Sequence, residues 1–358
     1  MVANSAKYFV KPDHVPSHLV VDFDLFNIPG ANEDVHLAFR VFQQSGPEIF
    51  WSPYNGGHWV VTRADDIEEM QRDYTRFSNR SISIPHLEGL PAQIPLELDP
   101  PKHAPYRRPL TQALLPRAID TQEGKIRTVI NELIDDFIED GGCNFVAQFG
   151  QILPIVVFLD LANCDREDRH VLLPLTEDIV RGETAEKRLL AYKGLTAYLN
   201  KHVIDRREKP GLDLLSVVVN TTVEGQRISV DEAIMYATTV FIAGLDTVAA
   251  LLAFIARFLA ENPLHRRQII EKLDDSAFKR NVCEELIRRH GLANIGRVVT
   301  CNFEYKGVPL REGDMVLLPN LLAGLDERRV ENPTEVDFQR PFPIYHAAFG
   351  NGAHICPG

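Results

Sequence analysis

The chain has 358 residues, of which 45% are hydrophobic, and a formal net charge of −12. This length and apolar content are enough for one large folded domain or two of ordinary size. The acidic balance, without a concentrated run of Lys and Arg, argues against a nucleic-acid-binding protein. Five scattered cysteines without a CxxC pair, and an N-terminus that lacks an apolar signal segment, predict a cytoplasmic protein.

Short strands and helices are predicted over the first hundred residues. The run "HWVVTR" at 58–63 predicts a strand, and "ADDIEEMQRDY" after it predicts a helix with acidic residues in its first turn. Residues 80–108 are rich in proline, which interrupts regular structure, so an irregular loop is predicted over most of this segment. Long loops in compact domains are often binding loops or lids.

A nearly continuous series of helices is predicted between about residues 106 and 290. In "GKIRTVINELIDDFIEDGG" the apolar residues recur with a 3.6-residue period that ends at Gly141 and Gly142. The longest apolar segment, 236–260, is interrupted by Asp246, and its unbroken run is shorter than the ~20 residues that cross a bilayer. A long buried core helix is therefore predicted, and not a membrane span.

Strands are predicted again after Arg297. "VVTCNFEY" predicts a strand that turns at Lys306 and Gly307, and "MVLLPN" predicts another after the polar turn "REGD". The predicted fold class is mainly α with small β-sheets, in a single domain over residues 1–358.

The last ten residues, "FGNGAHICPG" at 349–358, concentrate the chemistry-bearing residue types. A dinucleotide loop would need a third glycine, where Ile355 stands. A zinc site built from His346, His354 and Cys356 would have unusual ligand spacing and no second cysteine nearby. The third interpretation is one thiolate on a glycine-bent loop, which a haem iron would need together with close backbone approach.

This segment resembles the FGxGxHxCxG cysteine-loop signature of the cytochrome P450 superfamily. The resemblance implies a P450 fold, with haem b (iron protoporphyrin IX) between a long central helix and the cysteine loop. It implies Cys356 as the axial iron ligand, with Phe349 and Gly350 beside the haem. Relatives continue past this loop with a further helix, so the chain is interpreted as truncated just after it.

The segment "AGLDT" at 243–247 resembles the oxygen-activation motif of that family. By this resemblance Ala243 and Gly244 leave room for dioxygen, while Asp246 and Thr247 deliver protons. Each polar residue also has a simpler interpretation. Asp246 could be a buried, satisfied carboxylate, and Thr247 could donate its hydroxyl hydrogen to a carbonyl of its own helix.

Two further sets of residues resemble the family pattern. In "EELIRR" Glu285 and Arg288 form an ExxR pair at i, i+3, and Arg340 in "VDFQR" would complete a structural lock with them. The resemblance also supplies cations for the two haem propionates: His103, Arg107, Arg297 and His354.

Several phrases, including "LDPPKHAPYRR" and "LLAGLDERR", resemble bacterial camphor hydroxylases. The implied system is a class I monooxygenase that uses O2 and electrons from a [2Fe–2S] ferredoxin with an NADH-dependent reductase. It implies a small hydrophobic substrate and no nucleic-acid or membrane partner. The residues expected to face the substrate are Leu96, Thr239, Ile242, Ala293 and Ile295.

The sequence also departs from that group. Camphor hydroxylases hold the ketone with a tyrosine just before the "IPxxxDPP" phrase, whereas this chain has Pro91 and Ala92 in that neighbourhood. Without that hydrogen-bond donor, a terpenoid or norisoprenoid of the ionone type is expected instead of camphor. The alternative function is a haem-thiolate protein that rearranges peroxides or senses a ligand, although such proteins need no acid–alcohol pair.

Overall fold

The computed structural model describes residues 8–86 and 91–358. These residues form two compact units, the first within Met1–Gly89 and Arg257–Cys356, the second within Leu90–Ala256 and Pro357–Gly358. Each unit has its own cluster of buried apolar side chains. The assignment of residues 1–358 to one domain stays a prediction.

The helices and strands follow one another along both units. The α-helices are α1 Ala31–Ser45, α2 Ala64–Arg72, α3 Ala104–Ala113, α4 Pro116–Ile119, α5 Glu123–Ile138, α6 Ile152–Leu161, α7 Arg169–Arg181, α8 Ala185–Glu208, α9 Leu214–Val219, α10 Val230–Glu261, α11 Pro263–Glu271, α12 Ser276–Arg289 and α13 Asn320–Ala323. The strands are β1 Ile49–Ser52, β2 His58–Val61, β3 Phe77–Ser78, β4 Thr222–Val223, β5 Gln226–Arg227, β6 Asn294–Val299, β7 Phe303–Tyr305, β8 Val308–Leu310 and β9 Met315–Pro319.

The first unit is built on a five-stranded sheet in the order β1-β2-β9-β6-β3. Strands β2 and β9 pair in parallel, while β1 with β2, β9 with β6, and β6 with β3 pair antiparallel. The strands predicted from "HWVVTR" and "MVLLPN" are confirmed as β2 and β9. The predicted run "VVTCNFEY" is divided, because β6 ends at Val299 and β7 begins at Phe303. The turn predicted after β7 is confirmed, with φ of 50° at Lys306 and 83° at Gly307.

The second unit is helical, as the sequence predicts, except for one small hairpin. Strands β4 and β5 pair around Glu224 and Gly225, which both have positive φ. The turn residues were visible in the sequence, but each strand has only two residues and therefore no readable alternation. The described part of the proline-rich segment contains no helix or strand before α3 begins at Ala104, which confirms the irregular loop.

Helix α10 is the longest apolar helix among the described residues, and by length and composition alone it could cross a membrane. On one face Tyr236, Phe241 and Leu245 belong to the core of the second unit, as expected of a core helix. Its opposite face differs from the prediction of full burial, since Ala243 and Thr247 are exposed. These two residues lie at i and i+4, so they form one stripe of small side chains along the helix.

Candidate active site

The cysteine loop, residues 349–358, folds back on itself. The Cys356 backbone N–H donates to the Phe349 carbonyl at 2.8 Å, and the Gly350 N–H donates to the Ala347 carbonyl at 2.8 Å. Gly350 and Gly352 have φ of 71° and 73°, left-handed values that glycine adopts without strain. This backbone brings Cys356 to an exposed position at the end of the loop.

Side chains at the start of the cysteine loop and just before it contact one another and α12. The Phe349 ring lies 5.8 Å from the His346 ring, and His346 Nε2 lies 2.9 Å from Glu284 Oε2. Across residues 8–86 and 91–358, no group of three or more His, Cys, Asp or Glu side chains is arranged to hold a metal ion. The zinc interpretation, which needed His346 as a ligand, therefore has no support from the geometry.

Glu285, Arg288 and Arg340 meet in the first unit, and we call them the lock cluster. Arg288 makes a two-pronged contact with the Glu285 carboxylate, with both N···O distances at 2.7 Å, and Arg340 Nε donates to Glu285 Oε1 at 2.9 Å. The Glu285 and Arg288 side chains have no exposed area. The other guanidinium hydrogens reach backbone carbonyl groups, including those of Gly324, Pro333 and Glu335 for Arg288. Each buried charge thus has both an ionic partner and hydrogen bonds.

The acid and the alcohol of the "AGLDT" segment have different partners in α10. Asp246 Oδ1 lies 2.5 Å from Nη1 of Arg181, at the end of α7, and both side chains remain partly exposed. Thr247 Oγ1 donates to the Ala243 carbonyl one turn earlier, at 3.0 Å. The sequence offered no signal for Arg181, because it lies far from Asp246 along the chain and carries no motif.

Gly244 packs closely against an aromatic ring of the second unit. A Cβ added there would lie 2.8 Å from two ring carbons of Phe158 on α6, so a side chain at this position would require the ring to move. The Phe158 ring also packs against Phe241, with centroids 4.7 Å apart. Gly244 therefore permits the close approach of an aromatic ring in the core of the second unit, while Ala243 and Thr247 form the exposed stripe.

The four predicted propionate partners divide between the two units. In the first unit, Arg297 on β6 is buried and donates to the Gly296 carbonyl, and His354 is partly exposed in the short turn before Cys356. In the second unit, His103 is buried immediately before α3, and Arg107 is partly buried within α3.

Helix α3, which carries Arg107, is held against α10 by tyrosines. The Tyr106 hydroxyl donates to Glu232 at 3.0 Å, and the Tyr236 hydroxyl donates to the Tyr106 carbonyl at 2.6 Å. Burial, and then the bond to Glu232, raise the pKa of Tyr106 to about 12, so this donor stays protonated at neutral pH. The backbone that carries Arg107 is thereby fixed.

The predicted substrate-facing residues are mostly half-buried. Thr239 is an exception, because it is buried and its hydroxyl donates to the Met235 carbonyl at 3.1 Å. Ile242 packs against the core of the second unit, and Ile295 lies in β6 opposite Leu318 of β9. Leu96 and Ala293 are half-buried in irregular segments.

The groups present fit haem. Within the first unit, an exposed thiol lies on a glycine-bent loop and one arginine is buried. Within the second unit, α10 has a stripe of small side chains, and a histidine and an arginine lie on or beside α3. A thiolate is a ligand that iron accepts, and guanidinium and imidazolium groups suit carboxylates.

Comparisons with known proteins are consistent across the chain. The family model for cytochrome P450 matches residues 183–358. The probable cytochrome P450 127A1 of Sinorhizobium fredii is 35% identical over 357 residues, which cover 97% of this chain and 85% of that protein. The crystal structure of CYP101C1 aligns with a TM-score of 0.89 at 35% identity, and that of CYP101J2 with 0.88 at 33%.

These two alignments cover 98% of this chain, and 88% and 87% of CYP101C1 and CYP101J2 respectively. A more distant structure, CYP268A2 of Mycobacterium marinum in complex with pseudoionone, has a TM-score of 0.80 at 24% identity. It covers 91% of this chain and 84% of its own, and at that identity it establishes only the shared fold.

Proposed function

This chain belongs to the cytochrome P450 family, and from that premise we propose that it hydroxylates a small terpenoid or norisoprenoid, an ionone-like molecule, with electrons from a ferredoxin. The family's enzymes are haem b monooxygenases in which a cysteine thiolate binds the iron. When bound, haem with a thiolate ligand activates dioxygen, because the sulfur donates electron density that favours cleavage of the O–O bond.

The observation that carries this proposal is the geometry of the cysteine loop. Two left-handed glycines and the bond from Cys356 N to Phe349 O bring one thiol to the exposed end of the loop. We assign Cys356 as the iron ligand, with Phe349 and Gly350 beside it. We assign the propionates to His103, Arg107, Arg297 and His354.

The proton-handling role falls to the exposed side of α10. Asp246 is held by Arg181 in a pair that solvent reaches, so its carboxylate can exchange this partner for water or another donor. The Thr247 hydroxyl donates its hydrogen to the Ala243 carbonyl, and its lone pairs can still accept a hydrogen bond from another donor. We assign to these two side chains the supply of the protons that the oxygen chemistry of a bound haem would require.

The substrate assignment rests on the loop 91–98 and on apolar positions. No tyrosine occurs there to donate a hydrogen bond to a ketone, and the side chains assigned to the pocket are Leu96, Thr239, Ile242, Ala293 and Ile295. An ionone offers a larger apolar surface than camphor for such a wall, with about 25 cal/mol gained per Å² buried.

The partners follow from the likeness to the camphor-hydroxylase group. We assign electron supply to a [2Fe–2S] ferredoxin with an NADH-dependent reductase, and the place of action to the cytoplasm. Reconstitution tests this directly. Product should form with NADH, reductase and ferredoxin together, and product formed at the same rate without ferredoxin would contradict the assignment.

The haem-bound protein allows a direct test of ligand and substrate. The reduced carbon monoxide complex should have the Soret band of thiolate ligation, and Cys356→His should abolish that band. A panel of terpenoids is then titrated while the substrate-induced shift of the haem spectrum is recorded. We expect β-ionone to bind at least about tenfold more tightly than camphor, a difference of about 1.4 kcal/mol; equal affinities would refute the substrate assignment.

A further inference from the structure

Three amide side chains form a chain of hydrogen bonds that ends at the cysteine loop. Asn351 Nδ2 donates to Gln71 Oε1 at 3.1 Å, and Gln71 Nε2 donates to Asn320 Oδ1 at 2.5 Å. Asn320 begins α13, immediately after β9, and its backbone N–H donates to the Ala293 carbonyl at 2.8 Å. These amide hydrogen bonds, which we call the amide chain, therefore connect the cysteine loop to the end of the sheet through Gln71 of α2.

The inner members of this amide chain are buried. Gln71 is 2% exposed and Asn320 is 1% exposed. Buried amides are costly unless they are hydrogen-bonded, so their pairing strongly restricts how the neighbouring backbone can lie. Asn351 is only partly buried, which makes it the member that reports on the loop.

Three consecutive loop residues lie next to the amide side chains or to the Gln71 backbone. A Cβ added at Gly350 would lie 3.7 Å from Asn320 Nδ2 and 3.9 Å from Gln71 Oε1. Asn351 makes the hydrogen bond, and a Cβ added at Gly352 would lie 2.9 Å from the Gln71 carbonyl oxygen. The turn that precedes Cys356 is thus seated directly on Gln71.

We propose that Gln71 is a positioning residue, which through Asn320 and Asn351 fixes the cysteine loop in the conformation that presents Cys356 to iron. This inference rests on the proposed role of Cys356 as the ligand. Gln71 touches neither iron nor substrate in this scheme, and acts through the backbone of residues 350–352.

The donor-to-acceptor direction of this chain of amide hydrogen bonds can be reversed. Asn320 Nδ2 is buried and has no hydrogen-bond partner among the described residues, while its Oδ1 accepts from Gln71. If all three amides turned over, Asn320 Nδ2 would donate to Gln71, and Gln71 would donate to an acceptor at position 351. A carboxylate at 351 can only accept, so Asn351→Asp should select the reversed chain and keep the loop fixed.

The test compares Gln71→Leu, Asn351→Ala and Asn351→Asp as full-length, haem-bound proteins. The readout is the fraction of the reduced carbon monoxide complex that lacks the thiolate band, with the thermal midpoint measured alongside. Each lost hydrogen bond should raise that fraction about fivefold. Gln71→Leu and Asn351→Ala should therefore raise it, whereas Asn351→Asp should resemble the wild type. Gln268→Leu, on the exposed face of α11, is the matched control and should change nothing.

Two results would overturn the inference. One is a wild-type thiolate fraction in both Gln71→Leu and Asn351→Ala. The other is an equal loss in Asn351→Asp and Asn351→Ala, which would mean that the amide chain serves stability only. If Gln71→Leu fails to fold, the two Asn351 variants decide alone. Failure of the proposed function is different, since the wild type itself would then lack the thiolate band.

Discussion

The lock cluster of the first unit and the Arg181–Asp246 pair of the second are both arginine–carboxylate contacts, but their surroundings are opposite. In the lock cluster the Glu285 and Arg288 side chains are 0% exposed and every guanidinium has several acceptors. Arg181 and Asp246 are 49% and 25% exposed and share one contact. The first arrangement leaves no alternative partner for the charges, whereas water can replace either partner in the second.

The difference indicates which ion pair can take part in proton exchange and which can only stabilise the fold. A buried pair that loses one member leaves an uncompensated charge, while an exposed pair contributes little to stability and opens at little cost. A residue that has to exchange protons is therefore better placed in the second kind of environment. Each prediction below tests this contrast through the free energy of unfolding.

Removal of Glu285 should have the largest effect. Glu285→Ala leaves the buried guanidinium of Arg288 without its carboxylate, so we expect a loss of about 3–5 kcal/mol in the free energy of unfolding. Urea denaturation of the haem-bound protein measures it. A loss below about 1 kcal/mol would mean that the lock cluster contributes no more to stability than an exposed ion pair, which would contradict the contrast drawn above.

A buried group without a charged partner should stay neutral instead, and His58 tests this. Its Nδ1 lies 3.2 Å from the Tyr54 carbonyl, and its buried Nε2 has no hydrogen bond within the part of the chain that the structure describes. Burial lowers its pKa from 6.5 to about 4. Between pH 6.5 and 4 His58 is protonated in the unfolded chain but stays neutral in the folded one. The free energy of unfolding therefore falls as the pH falls, by up to about 3 kcal/mol. Denaturation at pH 7 and pH 4 should show a smaller difference in His58→Gln than in the wild type; equal differences would contradict the assignment.

Arg181→Gln should have a small effect on stability. Because the pair with Asp246 is exposed, we expect a change of no more than about 1 kcal/mol in urea denaturation. The rate of hydroxylation should nevertheless change, because Asp246 loses the side chain that holds its carboxylate in place. Arg127→Gln, which removes an exposed pair with Glu123 on α5, is the matched control and should leave the rate of hydroxylation unchanged.

Thr247→Val should have the smallest effect on stability, within about 0.5 kcal/mol, because the site is exposed and the shape is retained. The proposed proton role predicts that NADH oxidation continues while hydroxylated product falls several-fold. Product analysis against NADH consumed measures this coupling. Coupling equal to that of the wild type would contradict the proton role of Thr247, whose hydroxyl would then serve only its hydrogen bond within the helix.

Local patterns carried a large part of the fold and of the site. The i, i+3 spacing of Glu285 and Arg288 indicated a shared helix face, and the Lys306–Gly307 turn indicated its hairpin, because both signals lie within a few residues. Arg181, Gln71 and Asn320 gave no such signal. Their partners lie far away along the chain, and only the tertiary fold brings them together.

The role of Gly244 could not be predicted for a related reason. In the sequence it stands between residues of a recognised motif, and only the packing of α6 shows that its hydrogen atom faces an aromatic ring. The segment therefore carries a packing requirement at Gly244, in addition to the proton role that we propose for its exposed side.

The contact between Gly244 and Phe158 has a consequence for engineering. Position 244 can gain volume only if position 158 gives it up, since the ring carbons stand 2.8 Å from where a Cβ would be. A library that diversifies 243–247 alone would therefore place every side chain at 244 against the Phe158 ring, which would have to move. A library that pairs such changes with Phe158→Leu or Phe158→Ala would provide space for side chains at 244 that single substitutions lack.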